Sequence, residues 1–119
     1  ILLVEDDDAV KAITESALRN FVYTVVTASN GEEALRIYDK HNRKFDLLLT
    51  DVIMPLMSGR QLADEIRQKN AEIKILFFSG YTDDSIVHHG VLDEGTEFIQ
   101  KPYSNIGLAQ KVRSVLDKR

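Results

Sequence analysis

The 119-residue sequence predicts an α/β fold built on a doubly wound, five-stranded parallel sheet. Three observations point there. Short apolar runs alternate five times with segments whose apolar residues recur at helical spacing. The central run, Leu47-Leu48-Leu49, is apolar throughout, as strands covered on both faces are. The runs also stop abruptly in polar or charged residues, Glu5-Asp6-Asp7-Asp8 after the first and Asp51 after the third. Open parallel sheets collect such groups in the crevice at the carboxyl ends of their strands.

Each element follows from local chemistry. Residues 1–4 form the first strand, and the acids that close it open a helix that Asp7 or Asp8 can cap. Ala9, Val10, Ile13, Ala17, Leu18 and Phe21 give that helix its apolar positions and carry it to about Asn20. Residues 23–27, β-branched and aromatic, are the second strand, after which Ser29-Asn30-Gly31-Glu32-Glu33 starts a helix bearing Ala34, Leu35, Ile37 and Tyr38. The third strand leads into Asp51 and is followed by Pro55, a breaker. Ser58-Gly59 reads as a turn, and Leu62, Ala63 and Ile66 belong to a third helix ending near Asn70.

Residues 73–78 are the fourth strand, which stops at Ser79-Gly80. Ile86, Val87, Val91 and Leu92 suggest a fourth helix, short or irregular because Gly90 lies inside it. Residues 96–100 are a short fifth strand ending in Lys101-Pro102, and Ile106, Leu108, Ala109, Val112, Val115 and Leu116 form the apolar face of the final helix. Right-handed crossovers turn this alternation into the flavodoxin-like (βα)5 order 2-1-3-4-5. In that order the first and third strands are neighbours. Glu5, Asp6 and Asp51 then share one crevice, with Ser79 and Lys101 arriving from the fourth and fifth strand ends.

Composition narrows the function. Hydrophobic residues make up 44% and charged residues 29%, which suits one globular domain and not a disordered chain. A net charge of -4 offers no general attraction to nucleic-acid phosphates or anionic lipid, so proteins are the expected partners, with no direct nucleic-acid or membrane binding. With no cysteine there is no disulfide framework, thiol nucleophile or thiolate zinc site. No apolar run approaches bilayer length and the first residues lack the basic flank of a signal peptide, so a cytoplasmic location is the expectation. The chain starts inside a strand without an initiating Met, and it reads as a single domain excised from a longer protein.

Three carboxylates in one crevice repel one another unless a proton, a cation or a metal intervenes. Lys101 supplies one positive charge. Hard oxygen ligands without His or Cys favour Mg²⁺, which binds through one or two carboxylates plus a phosphate oxygen. Phosphoryl transfer uses such a set: Asp51 as nucleophile, Ser79 as hydroxyl donor and Lys101 as cation. Taken singly, each acid is more often a helix cap or a solvated loop residue than a ligand. A phosphatase of the haloacid-dehalogenase type shares the Asp nucleophile, but such enzymes carry a second Asp two residues on, where this chain has Ile53. A docking module that is never phosphorylated is a third reading. A flavin carrier lacks support, because no Ser/Thr/Gly-rich phosphate loop follows the first strand. His88-His89 reads as solvated helix surface: adjacent helical residues face different ways, and the remaining histidine is the distant His41.

Several motifs in register resemble the receiver domain of two-component response regulators over essentially the whole chain: Leu3-Val4-Glu5-Asp6-Asp7, Thr50-Asp51-Val52-Ile53-Met54-Pro55 with Ser58-Gly59, Phe78-Ser79-Gly80, and Gln100-Lys101-Pro102-Tyr103. The resemblance implies that Asp51 is the phosphoacceptor. It further implies that Asp6, Asp51 and the Ile53 main-chain carbonyl bind Mg²⁺, with Glu5 acting through metal-bound water. Lys101 would be the phosphate-binding cation, Ser79 the switch hydroxyl and Phe98 the aromatic switch residue. The implied partners are a histidine kinase or phosphotransfer domain, and a downstream protein or tethered domain reading the fourth helix, fifth strand and fifth helix. The residues Phe78-Ser79-Gly80-Tyr81-Thr82-Asp83-Asp84, followed by Val87-His88-His89-Gly90, are similar to receivers attached to hybrid sensory histidine kinases. Two positions depart from the family pattern. Glu5 replaces the commoner Asp, and Val22 stands where Gly often ends the first helix, so the local turn is expected to differ because β-branched residues tolerate positive φ poorly.

Overall fold

The computed structural model describes residues 1–41, 44–54, 56–79, 97–100 and 103–118, Ser79 by its backbone only. In chain order these form β1 (Leu2–Val4), α1 (Asp8–Asn20), β2 (Val26–Ala28), α2 (Gly31–Lys40), β3 (Leu47–Asp51), α3 (Gly59–Lys69), β4 (Lys74–Ser79), β5 (Phe98–Gln100) and, numbering the described helices alone, α4 (Asn105–Asp117). The five strands make one sheet in the order β2-β1-β3-β4-β5, with every pairing parallel. The flavodoxin-like fold expected from the sequence is the fold observed. The fourth helix expected over residues 86–92, with His88, His89 and Tyr81, lies outside the described residues, as do Lys101 and Pro102.

Alternation along each strand divides the core between the two faces of the sheet. Leu2, Val4, Leu48 and Phe77 face Ala34 and Tyr38 of α2 and Leu62, Ala63 and Ile66 of α3. Leu3, Leu47, Leu49, Leu76 and Phe78 face Ala17 and Leu18 of α1 and Leu108, Val112 and Val115 of α4. Helix starts are fixed by side-chain caps: Asp7 accepts from the Ala9 and Val10 amides, Asn30 from Glu33 and Ser104 from Gly107. Ser58-Gly59 is a helix start rather than a separate turn. Ser58 and Gln61 exchange side-chain-to-backbone hydrogen bonds in a capping box.

Two expectations about α1 are corrected. Ile13 is 65% exposed and Phe21 42% exposed, whereas Thr14 is wholly buried. The inward stripe is set by contact with the sheet and α4, so it is rotated from the one that hydropathy alone selects. Val22 nevertheless adopts φ 70, the left-handed conformation its β-branch disfavours. The amide of Val22 donates to the Arg19 carbonyl at 2.9 Å and that of Tyr23 to the Leu18 carbonyl at 3.2 Å. This is the Schellman closure that glycine usually supplies. At 92% exposure the Val22 side chain clears its neighbours, so the turn is kept and its cost is local.

Candidate functional site

The site begins with strand register. Val4 of β1 is level with Thr50 of β3, so Glu5, the next residue, comes level with Asp51 at the carboxyl edge of the sheet. One carboxylate oxygen each from Glu5, Asp6 and Asp51 lies within 4.8 Å of the others. Glu5 is fully buried, Asp51 is half-buried and Asp6 is exposed, so the cluster opens to solvent on one side. Two backbone amides hold the carboxylates in place: Asp7 donates to Glu5 Oε2 at 3.2 Å and Ile53 to Asp51 Oδ1 at 3.3 Å. Hard carboxylate oxygens without nitrogen or sulfur donors suit a divalent cation such as Mg²⁺, whose charge offsets their mutual repulsion.

The backbone under Asp51 is clamped from three sides. Thr50, buried, donates its hydroxyl to the Asp51 carbonyl at 3.0 Å. The Val52 amide donates to the Phe78 carbonyl at 3.2 Å, and the Gly59 amide to the Val52 carbonyl at 2.8 Å. Gly59 is packed so tightly that a Cβ on it would stand 2.0 Å from the Asp51 carbonyl oxygen. Sequence reasoning passed over Gly59 as part of a turn. The signal that identifies it was the Ser58-x-x-Gln61 spacing, which puts Gly59 at the first position of a helix aimed back at the strand end.

Of the remaining residues implied by the resemblance, Ser79 closes β4 with its backbone paired to Gln100, one step beyond the Asp51–Phe78 pair. Phe98 opens β5 opposite Phe77 and is half-buried against the core face that includes α3. Ile53 is 51% exposed beside Asp51. No helix among the described residues is long and apolar enough to cross a membrane.

A parallel sheet in the order β2-β1-β3-β4-β5 with an acidic pocket at the β1 and β3 ends defines a doubly wound switch-point site of the kind that binds phosphates and metal ions. Residues 1–113 match the family model described as the response regulator receiver domain, and the chain belongs to that family, the receivers of two-component signalling. It is 39% identical over 119 residues to the sensor kinase CckA of Brucella abortus (strain 2308), covering all of this chain and 13% of that protein. It is 33% identical over 119 residues to the 3',5'-cyclic-nucleotide phosphodiesterase regA of Dictyostelium discoideum, covering 98% of this chain and 15% of that protein. The chain therefore spans a small part of these relatives. Among solved structures, the receiver domain from the hybrid histidine kinase CckA superposes with a TM-score of 0.81 at 35% identity, covering 98% of this chain and 97% of that one.

Proposed function

We propose that this receiver domain accepts a phosphoryl group from the phosphohistidine of a histidine kinase or phosphotransfer domain onto Asp51, in a Mg²⁺-dependent reaction that changes its protein-binding surface. The observation that carries this reading is the convergence of Glu5, Asp6 and Asp51 oxygens within 4.8 Å at the strand edge. An Asp51 carboxylate oxygen forms a bond to phosphorus while the donor's phosphorus–nitrogen bond breaks. The electron pair of that bond stays on the imidazole. Asp6, Asp51 and the Ile53 carbonyl would hold Mg²⁺ directly and Glu5 through water. The bound cation supplies neutralisation of the charge on the transferring oxygens.

Lys101 supplies a second cation for those oxygens and Ser79 the hydroxyl that follows the phosphoryl group, with Phe98 moving in turn. The output surface is the segment expected as the fourth helix, with β5 and α4, offered to a downstream protein or tethered domain in the cytoplasm. Similarity to a hybrid kinase supports a kinase as partner. External substrate turnover is disfavoured by Ile53, which occupies the position of the second carboxylate that aspartate-based phosphatases use.

The test is incubation with Mg²⁺ and acetyl phosphate followed by intact-mass measurement. One phosphoryl group is expected on the wild type, none on Asp51→Asn and none with chelator. Labelling that persists in that variant, or proceeds fully without metal, refutes the assignment.

A further inference from the structure

Thr14 is fully buried on α1, at a position where the sequence pattern favoured its neighbour Ile13. Its hydroxyl lies 2.7 Å from the hydroxyl of Tyr103, 89 residues further along the chain, so one donates to the other. The Tyr103 ring stands edge-on to Phe78, with centroids 6.3 Å apart and planes at 90°. Phe78 is the β4 residue paired with Asp51, and its carbonyl receives the Val52 amide at 3.2 Å. Tyr103 thus joins α1, the strand beside the phosphoacceptor and the chain that leaves β5.

We propose that Thr14 and Tyr103 form a positioning latch that sets how well the acidic pocket holds phosphoryl oxygens. On the metal side, the start of α1 is fixed independently of the latch, because its cap Asp7 donates its amide to Glu5 at 3.2 Å. On the phosphate side, Tyr103 follows Lys101 by two residues, so chain geometry keeps their Cα atoms within about 7 Å. Holding Tyr103 on Thr14 and Phe78 restricts the region that the Lys101 ammonium searches. Restricting a catalytic group in advance lowers the entropy lost when the phosphodonor is bound. Thr14 is the buried member of the pair, so removing the Tyr103 oxygen takes from a buried hydroxyl the partner that replaces water. The proposal rests on the phosphoacceptor reading of Asp51.

The experiment uses the full chain as wild type, Tyr103→Phe, Thr14→Val, the double variant and Thr14→Ser. Initial rates of acetyl phosphate labelling are measured against donor concentration by intact mass, and Mg²⁺ affinity by calorimetry. Tyr103→Phe and Thr14→Val are each expected to raise the half-saturating donor concentration about five-fold, the size of one ordinary hydrogen bond. The double variant should be no worse than either single, because both remove the same bond. Thr14→Ser, which keeps the hydroxyl, should restore the wild-type value, and Mg²⁺ affinity should stay within about two-fold throughout. Unchanged donor dependence, additive losses, or Mg²⁺ affinity falling in parallel overturns the latch. If Tyr103→Phe does not fold, the Thr14→Val and Thr14→Ser pair decides the question by the same criteria. A wild type that takes up no phosphoryl group overturns the phosphoacceptor reading and the latch with it, whereas a labelled wild type with indifferent variants overturns the latch alone.

Discussion

Replacing Gly59 by alanine sets two effects against each other, and their signs differ. In an unobstructed helix, alanine is more favourable than glycine by about 1 kcal/mol. Here the added methyl would meet the Asp51 carbonyl oxygen at 2.0 Å, the Asp51 carbonyl carbon at 3.0 Å and Val52 Cα at 3.2 Å. A carbon–oxygen contact relaxes only near 3.3 Å, so the first helical turn and the strand end must separate by about 1.3 Å. Both partners are backbone, held by the Gly59-to-Val52 and Val52-to-Phe78 hydrogen bonds, so no flexible side chain absorbs the displacement. Overpacking usually costs 1–3 kcal/mol, and backbone against backbone belongs at the upper end, about 3 kcal/mol. For a domain of this size that lowers the thermal midpoint by about 12 °C. If Asp51 accepts the phosphoryl group as proposed, a shift of about 1 Å in its position should also slow acetyl phosphate labelling roughly a hundred-fold. Circular dichroism melts and intact-mass labelling of the same preparation measure both. A raised midpoint with labelling unchanged would show that helix propensity governs this position and would refute the contact argument.

Val22→Gly should stabilise the fold by up to about 1 kcal/mol, since relief of the left-handed strain at φ 70 exceeds the added unfolded-state entropy; a lower denaturant midpoint would contradict this. The Tyr38 hydroxyl is buried without a hydrogen-bond partner among the described residues, so Tyr38→Phe should gain about 1 kcal/mol in urea unfolding, and a loss would reveal a partner for that oxygen. The ion pair with Lys118, with help from Lys111 and against the opposing effect of burial, holds the Glu97 carboxyl below its ordinary value of 4.5. The unfolded chain binds this proton more readily, so the contribution is complete above about pH 4.5 and is lost as pH falls through the lower folded value. Glu97→Gln should therefore be less stable than wild type at neutral pH, with the two curves converging in acid; curves that stay parallel down to pH 3 count against the ion pair.

The sequence by itself determined the alternation of strands and helices, the strand order and the carboxyl-edge placement of Glu5, Asp6 and Asp51. Those features depend on local periodicity, caps and the handedness of crossovers, all of which act over a few neighbouring residues or a single strand–helix unit. Asp7, Asn30 and Ser104 cap helices because the capping interaction lies within one turn of the chain. Tertiary structure decided where the inward stripe of α1 lies, whereas Leu62, Ala63 and Ile66 of α3 and Leu108, Val112 and Val115 of α4 are buried as their spacing predicts. On α1 the sheet and α4 select Thr14 over the more apolar Ile13, because Tyr103, distant in sequence, brings a hydroxyl to meet it. Tertiary packing also decided that Gly59 touches the carbonyl of Asp51 and that Val22 accepts a glycine conformation. Close approach between segments is a property of the packed layers, whose separations no local pattern encodes, and the geometry around Asp51 depends on it.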